Sequence, residues 1–115
     1  MLFQYKTTSH DDIRIFQLFG ELIDREQSKT MVDEVIDAIA KGNNKVLLNL
    51  KDLRYINSSG LNVLINILTK CRKAGGDVAI CYVNEKNKEL LIITKLDSIF
   101  NVCETQEDAV ALLNK

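Results

Sequence analysis

Asp52-Leu53-Arg54-Tyr55-Ile56-Asn57-Ser58-Ser59-Gly60-Leu61 joins two apolar segments of different period. Before it, Val46-Leu47-Leu48-Asn49-Leu50 is nearly continuous in apolar residues, the pattern of a strand covered on both faces. After it, Leu61, Leu64, Ile65 and Leu68 recur at helical spacing, widened by Val63 and Ile67. The stretch therefore reads as a strand-to-helix junction, with Ser58 and Ser59 at the helix N-terminus. Unpaired N–H groups and the positive end of the helix dipole suit a phosphate there. Asn and Ser are also the residues that cap helices for purely local reasons. On chemistry alone, cap and phosphate seat both stay open.

Working outward, the helix ends in Lys70, Arg72 and Lys73, cations that complement its negative pole, and stops at Gly75-Gly76. Val78 to Val83 is a second two-sided strand. Asn84 caps a helix over Glu85 to Lys95, apolar at Leu90, Leu91 and Ile93. Ile99 to Val102 is a short strand. Thr105, with Asp108 three residues on, caps a last helix that turns Ala109, Val110, Leu112 and Leu113 inward.

Toward the N-terminus, Lys41-Gly42-Asn43-Asn44 ends another helix, with Gly42 or Asn43 able to take the left-handed cap conformation. Its apolar stripe is Val32, Val35, Ile36 and Ile39, with Lys29, Asp33, Glu34 and Asp37 facing away. Asp24 is its N-cap, answered by Gln27 as in a capping box. Gly20 to Asp24 reads as a loop, and Ile13 to Phe19 as a strand. Phe3, Tyr5 and Thr7 alternate with Gln4 and Lys6, a wetter strand joined to it through the turn Ser9 to Asp12. The order β-β-α-β-α-β-α-β-α describes a single α/β domain over residues 1–115. It has a mixed sheet, an antiparallel N-terminal hairpin followed by parallel strands, with about four helices. Sites in such sheets gather at the strand C-termini. That brings together the segments carrying Glu21 and Asp24, Asn57 and Ser58, and Asn84 to Asn87.

The net charge of -1 gives no general attraction to nucleic acid, and no apolar run approaches the ~20 residues of a membrane span. The N-terminus lacks a signal-peptide run, so a cytoplasmic location is expected. Cys71, Cys81 and Cys103 are widely spaced and His10 is the only histidine, so neither a zinc site nor a disulfide framework is expected. Ile56 stands where a nucleophile elbow needs glycine, and no histidine lies in an expected site loop. Phosphate-loop and dinucleotide glycine patterns are absent. No enzyme activity and no cofactor follow from these residues.

The Asp52–Leu61 stretch, followed by Lys73-Ala74-Gly75-Gly76, resembles the STAS domain family, in particular its stand-alone anti-sigma factor antagonists. Gly20-Glu21-Leu22-Ile23-Asp24 is similar to the family's Gly-Glu-Leu-Asp loop with one residue displaced. The resemblance implies a partner switch. The protein binds an anti-sigma factor that is also a serine kinase and so frees a sigma factor. The kinase phosphorylates the serine matching Ser58, with Ser59 as the alternative, and a PP2C-type phosphatase resets it. The implied partner surface is Glu21, Asp24, Asn57, Ser58, Ser59, Gly60, Leu61 and Asn62. Direct nucleic-acid contact and membrane insertion are not implied. The sequence departs from the family at Asn57, where antagonists often carry aspartate; asparagine keeps the capping oxygen and lacks the charge. The family also includes accessory subunits of lipid or anion transporters and parts of stress-sensing scaffolds, an alternative use of the same fold.

Overall fold

The computed structural model describes residues 2–115. Ten-residue β2 (Ile13–Leu22) pairs antiparallel with β1 (Gln4–His10) and parallel with β3 (Lys45–Ile56). β4 (Asp77–Cys81) and β5 (Asn101–Cys103) continue the sheet in parallel, so strand order follows chain order. The helices are α1 (Arg25–Ala40), α2 (Ser58–Lys73), α3 (Glu85–Ile93) and α4 (Gln106–Leu113), with a 3-10 turn at Leu96–Ser98. The expected fold class is thus the observed one.

Period-2 alternation explains the layers. Phe16, Leu18, Val46, Leu48, Val78 and Ile80 point to one face, where they pack with Met31 and Val35 of α1, Leu64 and Ile67 of α2, and Leu91 of α3. Ile15, Leu47, Ala79 and Cys81 point to the other, where Ala109 and Leu113 of α4 cover them. β1 is exposed along most of its length, as its alternation with polar residues implies.

Several boundaries differ from the sequence reading. Gly20, Glu21 and Leu22 are strand, not loop: Gly20 takes φ +85° and the chain stays paired to β3. A Cβ at Gly20 would lie 2.3 Å from the Leu2 carbonyl oxygen, so the position demands glycine twice over. β3 runs six residues past Leu50. Between the Gln17–Asn49 and Phe19–Asp52 pairs, and again between Gly20–Leu53 and Glu21–Tyr55, β3 carries one residue more than β2. These two bulges break its alternation.

The buried face of α1 is Ser28, Met31, Val35 and Ala38; Ile36, expected inside, is 44% exposed. Glu34, expected outside, is half-buried against Tyr5, whose hydroxyl pKa is pushed up to about 12 by burial first and by Glu34 second. Helix α3 ends before Lys95, which takes φ 63°, and leaves Ile93 77% exposed. Ile99 and Phe100 precede β5 rather than open it, with only Phe100 buried.

Candidate functional site

Leu22 pairs with Ile56 in the last rung between β2 and β3, so the two strands end together and hand over to α1 and α2 side by side. Asn57 makes the junction. Its extended backbone lets its Oδ1 accept from the Gly60 N–H at 2.9 Å, capping α2. Its Nδ2 donates to the Ile23 carbonyl at 3.0 Å, and its N–H donates to the Leu22 carbonyl at 3.3 Å. One side chain thus caps α2 and ties the Ser58 turn to the loop entering α1. An aspartate would keep the cap but could not donate to Ile23, which is a local reason for asparagine here.

With Asn57 as the cap, Ser58 and Ser59 are left exposed at the first two helical positions. Among the described residues neither hydroxyl has a hydrogen-bond partner, and their backbone N–H groups lack intrahelical acceptors. The first turn of α2 carries no acidic residue, so the positive pole is not neutralised locally. Both Gly60 and Leu61 are buried. They position the turn rather than present a contact surface. Asn62 is exposed one turn further on.

Glu21 and Asp24 end up in different roles. Glu21 lies on β2 with its carboxylate 3.3 Å from the Arg54 guanidinium across the β2–β3 ladder. Asp24 caps α1: its Oδ1 accepts from the Gln27 N–H at 2.9 Å, and the Gln27 side chain accepts from the Ile23 and Asp24 N–H groups. Around Ser58 the surface also shows Ile23, Tyr55 and Arg54, the apolar, aromatic and arginine types that dominate protein contacts. The Lys86 ammonium sits 5.4 Å from the Tyr55 ring centroid.

The third segment supports the other side of the junction. β4 leaves β3 after the Asn49–Cys81 pair, so the last seven residues of β3 lose their neighbour. Side chains replace it. Asn87, 2% exposed, donates through Nδ2 to the Leu53 carbonyl at 3.1 Å and accepts through Oδ1 from the Ile56 N–H at 3.2 Å. Asn84 caps α3 through the Asn87 N–H and donates to the Leu53 and Arg54 carbonyls. The sequence places Asn84 to Asn87 at this end of the sheet, but the role of Asn87 depends on a strand overhang that no local pattern announces.

A cleft of about 780 Å³ lies between α1 and α2, bordered by Arg25, Lys29, Ile36, Asn62 and Lys70. His10, expected in the turn, is the last residue of β1 and pairs with Ile13, which in turn pairs with the first residue of β3; this is the sheet end opposite Ser58. No group of three or more His, Cys, Asp or Glu among the described residues could hold a metal ion. No helix there is long and apolar enough to cross a membrane. The arrangement offers an exposed hydroxyl at the positive pole of α2.

Comparison with known proteins bears on the family and the fold. A family model described as the STAS domain matches residues 4–109. A candidate anti-sigma factor antagonist of Thermotoga maritima is 35% identical over 112 residues, covering 95% of each chain. An anti-sigma F factor antagonist of Paenibacillus polymyxa is 29% identical over 114 residues, covering 98% of this chain and 97% of that one. The crystal structure of a candidate antagonist from Thermotoga maritima superposes with a TM-score of 0.87 at 31% identity, over 96% of this chain and 95% of that one. The family model spans most of the chain and these relatives match it over nearly all their length: the chain belongs to the STAS domain family, among relatives named as anti-sigma factor antagonists.

Proposed function

We propose that this chain is an anti-sigma factor antagonist switched by phosphorylation of Ser58. Its partner would be an anti-sigma factor that is also a serine kinase, with a PP2C-type phosphatase for reset. The observation that carries the reading is the division of labour at the junction. Asn57 supplies the cap, so Ser58 is exposed and its hydroxyl has no structural duty. Its oxygen can take the γ-phosphoryl group of ATP held by the kinase and release its proton, with ADP leaving. The new dianion would sit on the positive end of α2, which the fold tolerates, while a partner's carboxylates would be repelled. The contact surface would be Asp24, Asn57, Ser58, Ser59 and Asn62, with Glu21 at its edge and Gly60 and Leu61 beneath. The name of the Paenibacillus polymyxa relative supports an anti-sigma factor as the partner.

The test is incubation of the full chain with ATP and the kinase captured from its own cells. Peptide mass spectrometry should find a single phosphate on Ser58, abolished in Ser58→Ala and retained in Ser59→Ala. A phosphate confined to Ser59 moves the acceptor by one residue. No phosphate on either serine removes the switch.

A further inference from the structure

We propose that Cys81 and Cys103 form a modification site at which a peroxide converts the two thiols into one intramolecular disulfide. The two residues are register partners on the neighbouring parallel strands β4 and β5. Register partners project to the same face, and both thiols belong to the apolar cluster beneath α4. Neighbouring strands lie about 4.7–4.9 Å apart, inside the roughly 4.4–6.8 Å Cα separation that a cystine accepts. β5 is a three-residue edge strand, half-buried throughout, so it can shift the little that closure requires. Cys81 is buried and Cys103 is only half-buried, bordering a cleft of about 520 Å³ with Tyr82, Lys88, Asp97 and Glu104. Cys71 lies across the sheet in the other cluster and is fully buried, which makes it an internal control.

The more accessible thiol, that of Cys103, reacts first. The Cys103 thiolate attacks a peroxide oxygen, the O–O bond breaks, and a sulfenic acid and one water result. Cys81 sulfur then attacks the sulfenic sulfur; the S–S bond forms and a second water leaves. Two thiols lose two hydrogens, and one hydrogen peroxide becomes two waters. Burial raises both pKa values, that of Cys81 to about 12 with further contributions from Cys103 and Glu107, and that of Cys103 with a contribution from Asp108. The charged groups facing the pair are Glu107 and Asp108 from α4, Lys88 from α3, and Asp97 and Glu104 beside the cleft. The protonated form is thus favoured at neutral pH. The reaction is slow there and quickens as pH rises, approaching tenfold per unit below the Cys103 pKa.

The bond would close the segment from Cys81 to Cys103 and fix β5 and α4 to β4. Both cysteines end their strands, so the link lies at the same end of the sheet as Ser58.

The experiment treats the purified full chain with hydrogen peroxide at pH 7 and pH 8.5, blocks remaining thiols under denaturing conditions, and maps peptides without reductant. The expected product is a monomer with Cys81 linked to Cys103 and Cys71 alkylated. It should form faster at the higher pH and melt several degrees above the reduced protein. Cys103→Ser, a substitution at a half-exposed position, should abolish it, and Cys71→Ala should not. Sulfinic acid at Cys103 with Cys81 still reduced, or a cross-link between two chains, overturns the proposal. So does a link that includes Cys71.

Discussion

Gly60 shows how much of the site is decided by a missing side chain. It is buried in the first turn of α2, where a Cβ would lie 2.0 Å from the Leu22 carbonyl oxygen. That oxygen also receives the Asn57 N–H, so it cannot move away without opening the junction. Gly60→Ala should therefore lower unfolding free energy by about 2–4 kcal/mol, as overpacking against backbone does. Gly42→Ala is the contrasting variant, strained in its backbone but free of any close contact. Gly42 has the positive φ, +92°, that Gly60 lacks, but nothing lies within 4 Å of its Cβ position, so only conformational strain of about 1 kcal/mol is expected. Urea unfolding of the two variants checks this; equal losses would mean that α2 yields and the close approach is unimportant. At this scale the sequence was informative about residue type and silent about reach. Asn57 is legible as a cap because caps are local. Its second bond, to Ile23, joins parts of the chain that meet only in the folded sheet.

Among the elements, β3 organises the site, and its end was the least legible part. Lys51-Asp52 looks like the close of an apolar strand, yet the strand continues to Ile56. The bulges put Leu53 and Ile56 inside while Lys51, Asp52, Arg54 and Tyr55 stay out, a spacing that fits neither strand nor helix. The same irregularity hid the continuation of β2 through Gly20, because glycine in a sequence reads as a stop. The overhang leaves backbone groups that would be buried without partners, and Asn87 satisfies two of them at once. Asn87→Leu should cost about 1–3 kcal/mol, since the Ile56 N–H loses its partner while the Leu53 carbonyl keeps only the longer bond from Asn84. Hydrogen exchange at the Ile56 amide should accelerate more than at Val46, which stays between β2 and β4. Uniform acceleration along β3 would mean that Asn87 supports the whole fold and not the strand end. Asn84→Ala should cost only about 1 kcal/mol, because Asn84 is exposed and acts mainly as a cap.

For the whole molecule, alternation of strand and helix made the parallel topology legible: the C-terminal ends of β2 and β3 meet, and β4 runs the same way but stops seven residues short of the end of β3. The distribution of helices over the two faces was not legible, since an amphipathic helix does not say which face it covers. The consequence for function is that Ser58 stands on the rigid part of the fold. Its turn is held by Asn57, by the close contact at Gly60 and by the Asn84–Asn87 support, so a charge there has no loose element to rearrange. Ser58→Asp should leave the protein as stable as the parent to within about 1 kcal/mol, because a carboxylate at a helix N-terminus is neutral to favourable. For a domain of this size that is a change of no more than about 4–8 °C in Tm. Under the proposed switch, the same variant should lose affinity for the anti-sigma partner while Ser58→Ala keeps it. Calorimetric melting and a binding titration on the two variants together separate the possibilities. Lost binding with an unchanged melt places the switch at the surface, in charge and contact. Lost binding with a large fall in Tm would instead mean that phosphorylation acts by unfolding the junction, and equal binding by both variants would remove Ser58 from the interface.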